Sequence, residues 1–189
     1  MKIIGVTGGT GGGKTTITEK MKSYGACVCD ADVVARQVVA PGKKALFEIA
    51  AEWDVVRGGV LDRKALAKIV FSDENELHKL NGIVHKYVIE EIKSQIENCK
   101  EEIFVIDAIA LFESGLSDIC DVTVAVIADR NIRCERIMAR DGLSREEACM
   151  RINAQESNEF YIERADFVIY NNNGVSDEEI GRIIKGSKV

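Results

Sequence analysis

A glycine-rich segment near the amino terminus carries the strongest chemical signal in this 189-residue chain. Residues 8–15 read Gly-Gly-Thr-Gly-Gly-Gly-Lys-Thr and match the pattern GxxxxGK[ST] at every fixed position. Glycines let backbone amides turn inward around phosphate oxygens, the lysine adds positive charge, and the hydroxyl can bind Mg²⁺. We therefore predict a loop that binds ATP, here called the P-loop. The residues expected to contact the nucleotide are Gly9, Gly11, Gly12, Gly13, Lys14, Thr15 and Thr16.

Carboxylates that follow two of the apolar runs are candidates for handling an acceptor and a metal ion. Asp30-Ala31-Asp32 follows the second run, and Asp107 ends the apolar stretch of the third, Ile103-Phe-Val-Ile-Asp107. The carboxyl ends of parallel strands meet at one edge of a sheet, where a P-loop also lies. One carboxylate of the pair can face Mg²⁺ while the other takes the proton of an acceptor hydroxyl, or either can cap the next helix. Thr15, Asp30 and Asp107 are the candidate Mg²⁺ ligands.

Arginines are concentrated late in the chain, where six of the eleven lie between residues 130 and 151. Arg133, Arg136 and Arg140 recur at i, i+3 and i+7, which puts them on one face of a helix. A planar guanidinium suits phosphate, so residues of about 130–156 are predicted to form a lid over ATP. Arg136 and Arg140 are its best candidates for contact with ATP. The alternative is a solvated helix whose positive charges are balanced by neighbouring glutamates.

The elements that must position these residues follow from the hydrophobic pattern. Short, nearly continuous apolar runs predict strands buried on both faces: Lys2–Thr7, Ala26–Cys29, Ile103–Ile109, Val122–Ala128 and Phe167–Tyr170. Helical spacing between the runs favours an α/β fold with a parallel sheet. The interval between Cys29 and Ile103 shows no convincing strand, and helices are predicted at Arg63–Phe71, Glu74–Leu80 and Ile83–Ile96. We therefore predict a helical insert at about 58–98 within a single domain.

Composition narrows the class of protein. The net charge of −6 argues against a nucleic-acid or membrane partner, because both usually require a basic surface. No apolar run approaches the roughly 20 residues that span a bilayer. The six cysteines lack the spacing of a redox pair or a zinc site, so free thiols in a reducing, cytoplasmic compartment are expected. The partner we expect is a small molecule, and the protein is expected to be a monomer or a small homo-oligomer.

Together these motifs resemble those of the dephospho-coenzyme A kinases, which catalyse the last step of coenzyme A synthesis. The resemblance covers nearly the whole chain, and the order of its motifs is far more specific than the P-loop alone. Besides the P-loop it includes Asp30-Ala31-Asp32 with Arg36, Pro41-Gly42, Gly59-Val60-Leu61-Asp62-Arg63, Leu66, Phe71, His85, Leu111-Phe112-Glu113, Arg136, Arg140-Asp141-Gly142-Leu143, Arg151, Gln155, Ala165-Asp166 and Asn171.

The resemblance implies ATP-dependent phosphorylation of the ribose 3′-hydroxyl of dephospho-CoA. It implies a P-loop NTPase-type, three-layer α/β fold with a five-stranded parallel sheet, a helical substrate-binding insert and an arginine-rich lid. Asp32 is then the general base, and Lys14 and Arg140 are the other catalytic groups. The remaining residues that it implies are Arg136, Arg140 and Asn171 for ATP, and Asp32, Arg36, Arg63, His85 and Leu111 for the acceptor.

The chain departs from the family pattern at three positions. Gly12 stands where the family usually has serine, and Lys86 and Ile109 stand where it usually has proline. These changes remove no proposed catalytic group, although the lost prolines release two constraints on φ. Two alternatives stay open at this point: a kinase for another small alcohol or nucleoside, and a non-catalytic P-loop protein that binds nucleotide as a switch.

Overall fold

A computed structural model describes residues 1–185 of the chain, which divides into two compact units. The first unit, called the core unit, consists of residues 1–29 and the residues from 100 onwards. The second, called the acceptor unit, consists of residues 30–99 and contains the whole of the insert predicted at about 58–98.

A five-stranded sheet organises the core unit. The strands of the whole chain are β1 (Lys2–Thr7), β2 (Cys27–Asp30), β3 (Val56–Arg57), β4 (Val60–Leu61), β5 (Ile103–Asp107), β6 (Val122–Ile127) and β7 (Phe167–Tyr170). The order across the sheet is β2-β5-β1-β6-β7, with parallel pairing of β1 to β5, β1 to β6 and β6 to β7. The predicted five-stranded parallel sheet of an α/β fold is confirmed.

Helices cover this sheet and build the acceptor unit. They are α1 (Lys14–Ser23), α2 (Ala31–Val38), α3 (Lys44–Glu52), α4 (Arg63–Val70), α5 (Glu74–Asn98), α6 (Arg130–Asp141), α7 (Arg145–Asn153), α8 (Asn158–Arg164) and α9 (Asp177–Lys185). The segment predicted as a lid thus contains α6 and α7. Within the described residues, none of the helices is long and apolar enough to cross a membrane.

The central strands are buried on both faces because their side chains are apolar at consecutive positions. Ile4, Val6 and Val105 are fully buried, as are the residues of α1 and α9 that face them, including Ile17 and Ile180. This packing fixes the carboxyl ends of β1, β5 and β6 relative to one another, and the P-loop leaves the sheet from the end of β1.

The prediction that residues 30–102 contain no strand is wrong at one place. β3 and β4 form a two-stranded antiparallel hairpin in which Val56 pairs with Leu61 and Arg57 with Val60. The turn consists of Gly58 and Gly59, with φ of 58° and 78°. Two successive residues with positive φ make the turn that suits a tight hairpin, and glycine adopts it at little cost. The Gly-Gly pair was the available signal.

The two helices predicted at Glu74–Leu80 and Ile83–Ile96 are a single helix, α5. Gly82 lies inside it with a negative φ, so the glycine does not end the helix. Val88 and Ile92 on α5 are buried, and α5 contacts α2, α3 and α4. Tertiary packing of this kind outweighs the weak helix propensity of one glycine.

A pair of glycine substitutions tests the continuity of α5. A Cβ added at Gly82 or at Gly142 meets no atom within 4 Å, but Gly142 ends α6 with a φ of 68°. Gly82→Ala should raise the free energy of unfolding by about 0.5–1 kcal/mol, whereas Gly142→Ala should lower it by about 1 kcal/mol. Chemical denaturation measures both. Destabilisation by Gly82→Ala would contradict a continuous helix.

Candidate active site

The P-loop connects β1 to α1 and presents the amino terminus of α1 to the ligand. Gly13 is the N-cap of α1 with a φ of 95°, and no side-chain hydrogen bond caps the helix there. The first-turn amides of a helix have no partner within the helix, and the helix dipole favours a negative charge near them. The arrangement therefore fits phosphate oxygens.

Side chains from distant segments occupy the space beside the P-loop glycines. A Cβ on Gly9 would lie 2.1 Å from the Arg133 guanidinium, and a Cβ on Gly13 would lie 2.1 Å from the Asn171 amide nitrogen. At such distances a larger residue would displace the side chain that touches the loop. Close approach thus requires glycine at both positions, and the φ of 95° favours glycine at position 13 as well.

Arg133 on α6 is the most deeply buried charged residue in contact with the loop, with 4% of its surface exposed. Its Nε donates to the Thr10 carbonyl at 2.9 Å, and its Nη atoms donate to Asn158 Oδ1 at 3.2 Å and Gln155 Oε1 at 3.4 Å. Desolvation by burial lowers the pKa of Arg133 from its ordinary value. Sequence analysis placed Arg133 on the lid face but assigned it no contact.

Gln155 holds the same part of the loop from the far end of the lid segment. Its Oε1 accepts from the Thr10 backbone amide at 2.8 Å, and its Nε2 donates to Thr10 Oγ1 at 2.8 Å. Arg133 and Gln155 therefore bind both the carbonyl and the amide of one loop residue. Sequence analysis recorded Gln155 only as part of the family resemblance and gave it no role.

Arg136 and Asn171, both predicted to contact ATP, bind the backbone of the loop from the other side. Arg136 donates to the carbonyls of Gly11 at 3.2 Å and Gly12 at 3.3 Å, and to the Asn171 carbonyl at 2.8 Å. The buried amide of Asn171 donates to the Gly12 carbonyl at 3.0 Å. Since carbonyls are the acceptors, these two side chains fix the orientation of the peptide groups in the loop.

Lys14 and Arg140 are the remaining cationic candidates. Lys14 Nζ donates to the Gly8 carbonyl at 2.8 Å, so its ammonium group lies against the loop. Arg140 lies at the exposed end of α6 and forms two hydrogen bonds with the Asp141 carboxylate, which Arg151 also contacts. The hydrogen bonds from Arg140, with its charge, lower the pKa of Asp141.

The oxygen groups predicted to bind metal lie at the ends of elements. Asp107 ends β5, half-buried and in register with Val6, two residues before the P-loop begins. Thr15 and Thr16 are exposed in the first turn of α1. The third candidate, Asp30, accepts the amides of Asp32 and Val33 through Oδ1, so this oxygen acts as the helix cap that sequence analysis left open.

Leu111, predicted to contact the acceptor, is fully buried. A Cβ on Gly5 would lie 2.8 Å from its Cδ2, which shows how tightly Leu111 packs beneath β1. Its side chain therefore belongs to the hydrophobic interior of the core unit.

A pocket of about 340 Å³ in the acceptor unit brings three predicted residues together. Asp32 and Arg36 are four residues apart on α2 and share a face, and Arg63 begins α4. Apolar side chains form most of the remaining wall: Val39, Ile49, Leu61, Leu66, Leu80 and Val84. One carboxylate, two guanidinium groups and an apolar wall suit a substrate that has a hydroxyl, phosphates and an apolar portion.

His85 follows Val84 on α5 but is not among the described residues that line this pocket. It is half-buried, and desolvation lowers its pKa, so the neutral form is favoured near pH 7. Among the described residues, the structure therefore brings Asp32, Arg36 and Arg63 together and leaves the predicted acceptor residue His85 outside the lining of their pocket.

The support that Arg133 gives to the P-loop can be tested by replacing it with lysine. Lysine keeps the charge but cannot reach three separated acceptors with a rigid planar group. Arg133→Lys should lower the free energy of unfolding by about 2 kcal/mol and weaken ATP binding about tenfold. Arg145→Lys, at an exposed arginine of α7, is the matched control. Equal effects of the two substitutions in denaturation and calorimetry would contradict the assignment.

Comparison with known proteins places this geometry in a family. The sequence model of the dephospho-CoA kinases matches residues 2–177. A dephospho-CoA kinase of Thermobifida fusca is 40% identical over 184 residues, covering 95% of this chain and 92% of the relative. One of Moorella thermoacetica is 43% identical over 176 residues, covering 89% and 83%.

A crystal structure of a Thermus thermophilus protein superimposes with a TM-score of 0.80 at 35% identity, covering 98% of this chain and 95% of that one. The match of the family model includes both the P-loop and the Asp32 pocket. This chain belongs to the dephospho-CoA kinase family.

Proposed function

We propose that this chain transfers the γ-phosphoryl group of ATP to the ribose 3′-hydroxyl of dephospho-CoA, which yields coenzyme A. The observation that carries the proposal is family membership over residues 2–177, a range that holds both a P-loop and a pocket with Asp32, Arg36 and Arg63. A phosphoryl donor site and an acceptor pocket are the two parts that such a kinase requires.

On the donor side, we assign most of the contacts with ATP to the P-loop, whose conformation other residues fix. Arg133, Gln155, Arg136 and Asn171 hold loop carbonyls and the Thr10 amide, while the first-turn amides of α1 are directed to the phosphates. Lys14 exchanges its bond to the Gly8 carbonyl for the β- and γ-phosphates. A loop that is already in its binding conformation loses little entropy when ATP binds.

Arg140 is the lid residue that we propose to meet the transferred group. It is 60% exposed at the end of α6, and its guanidinium is held by a carboxylate that a phosphate oxygen can replace. Arg151 also contacts Asp141, so this carboxylate keeps a cationic partner when Arg140 leaves it. Charge on the phosphoryl oxygens is thereby balanced where it develops.

Thr15 and Asp107 fit a Mg²⁺ ion, which prefers oxygen ligands. Thr15 supplies a hydroxyl at the start of α1 and Asp107 supplies a carboxylate at the end of β5. Both positions adjoin the P-loop. When bound with ATP, Mg²⁺ neutralises negative charge on the phosphates. We assign Asp30 to capping α2, which orients Asp32 in the first turn of that helix.

On the acceptor side, Asp32 accepts the proton of the attacking hydroxyl. Arg36 and Arg63 bind the diphosphate of dephospho-CoA, and the apolar wall of the pocket shields these contacts from water. His85 follows Val84 on α5 and we assign it no direct contact with the acceptor, and Leu111 acts through its packing under β1. These roles need no covalent intermediate, because the reaction proceeds by direct transfer between two bound substrates.

The activity is tested by mass spectrometry of mixtures that contain MgATP and one acceptor at a time. Dephospho-CoA should be converted to coenzyme A faster than adenosine or AMP is phosphorylated. Preference for adenosine or AMP would identify a kinase with another acceptor. ATP binding without any phosphorylated product would instead favour a nucleotide-binding switch.

Replacement of Asp32 tests the general base. Asp32→Asn keeps the size of the side chain and removes the proton acceptor, so kcat should fall about 10²- to 10⁴-fold while the Kd for ATP stays unchanged. Glu97→Gln, at an exposed residue of α5, is the control for loss of one negative charge. Unchanged turnover in Asp32→Asn would remove this residue from the mechanism.

The metal assignment predicts a specific change in Mg²⁺ dependence. Asp107→Asn removes a charged oxygen ligand, so the Mg²⁺ concentration for half-maximal activity should rise about tenfold, whether Asp107 acts directly or through water. Asp118→Asn alters an exposed carboxylate of the same unit and should leave the titration unchanged. Coincident Mg²⁺ titrations for the wild type and Asp107→Asn would show that Asp107 does not hold the ion.

A further inference from the structure

Two cysteines of the lid segment, Cys134 on α6 and Cys149 on α7, lie with their thiols in contact. Their Sγ atoms are 3.8 Å apart, although 15 positions separate the two residues in the chain. A disulfide bond is about 2.0 Å long, so the structure describes a reduced pair that lies close enough to be oxidised. Sequence analysis missed this pair because it considered only closely spaced cysteines.

The contact between the thiols is built into the packing of α6 against α7. Only residues 142–144 separate the two helices along the chain. Cys134 belongs to the buried cluster between the helices, and Cys149 packs against the same cluster. The other buried members of the cluster are Ile137, Ala148 and Ile152. Because this packing holds both side chains, the thiols meet at a high effective concentration.

The two thiols differ in their access to reagents in solution. Cys134 is 1% exposed, and burial raises the pKa of its thiol, so it resists attack by reagents from outside. Cys149 is only half-buried. A reagent from solution therefore meets Cys149 first, and Cys134 is placed to attack second from within the protein.

A bond between these sulfurs would act on the residues that hold the P-loop. Arg133, which binds the Thr10 carbonyl at 2.9 Å, directly precedes Cys134 on α6. Gln155, which accepts from the Thr10 amide at 2.8 Å, lies two residues beyond the end of α7. Bond formation draws the sulfurs together by roughly 2 Å, and a close-packed interior transmits such a movement to the helices. The contacts at Thr10 are then lengthened, and the loop loses part of its support.

We propose that Cys134 and Cys149 form a reversible disulfide, made by reaction with small disulfides, that weakens the binding of ATP. The Cys149 thiolate attacks one sulfur of a small disulfide such as oxidised glutathione, and one glutathione thiol leaves. Cys134 loses its proton to solvent and attacks Cys149 Sγ in the mixed disulfide, which releases the second glutathione. Two protein thiols are thereby oxidised to one disulfide, and one glutathione disulfide is reduced to two thiols.

The test treats the full-length protein with oxidised glutathione and compares it with the reduced protein. Trypsin separates the two cysteines onto peptides 134–136 and 146–151, because an arginine precedes and ends each segment. Mass spectrometry should find these peptides linked. Calorimetry should find the Kd for ATP raised about two- to tenfold, the value of one hydrogen bond. Dithiothreitol should restore the separate peptides and the original Kd.

Two variants assign the effect to this pair. Cys149→Ser should abolish both the link and the change in Kd for ATP. Cys27→Ser removes another half-buried thiol, outside the lid segment, and should respond to oxidised glutathione as the wild type does. Loss of the response in Cys27→Ser, or a response that persists in Cys149→Ser, would overturn the inference.

The wild-type protein alone also provides contrary outcomes. Absence of the linked peptides, whether or not Cys149 carries glutathione, overturns the proposed disulfide. Linked peptides with an unchanged Kd for ATP overturn its effect on the P-loop. The inference goes beyond the proposed function and does not depend on the acceptor, since ATP binding is measured without one. Failure to form coenzyme A would therefore refute the proposed function and leave this result in place.

Discussion

The active site depends on a glycine-rich loop whose conformation is held mainly by side chains from elsewhere in the chain. Five of the eight residues in the P-loop are glycines, which leave the backbone free to bind phosphate but give it no side chains to hold a conformation. Arg133, Arg136 and Asn171 donate hydrogen bonds to loop carbonyls, and the Thr10 amide donates to Gln155, so that side chains from outside the loop hold its conformation. Occupying the carbonyls leaves the helix amides as the groups that meet a ligand.

The need to hold the loop from outside separates three arginines of α6, Arg133, Arg136 and Arg140, into two groups. Arg133 and Arg136 both donate to carbonyls of the loop, and the buried Arg133 uses its remaining donors on the side chains of Asn158 and Gln155. Arg140, one turn further on, reaches the exposed end of the helix and pairs with a carboxylate. One helical face therefore contains both the residues that shape the site and the one proposed to act on the ligand.

In the acceptor unit, helices rather than a loop build most of the pocket, and the longest of them is α5. α5 runs without interruption through Lys86, a position inside the helix where a proline would remove a backbone donor. The residue also forms an ion pair with Glu48 and lies over the Tyr87 ring. The departure from the family pattern at Lys86 thus coincides with an unbroken helix that positions Leu80, Asn81 and Val84 along the pocket.

The sequence by itself determined the local features. The P-loop, the buried strands and most helices can be predicted from the spacing and hydrophobicity of residues that are close together in the chain. Its resemblance to the family also grouped Asp32, Arg36 and Arg63 as residues that bind the acceptor. Only the tertiary structure decided which arginine supports the loop, that Leu111 is interior, that α5 is continuous, and that two cysteines of the lid segment are neighbours. Such outcomes depend on contacts between residues that are far apart in the sequence, such as Thr10 and Arg133, and local periodicity contains no information about these contacts.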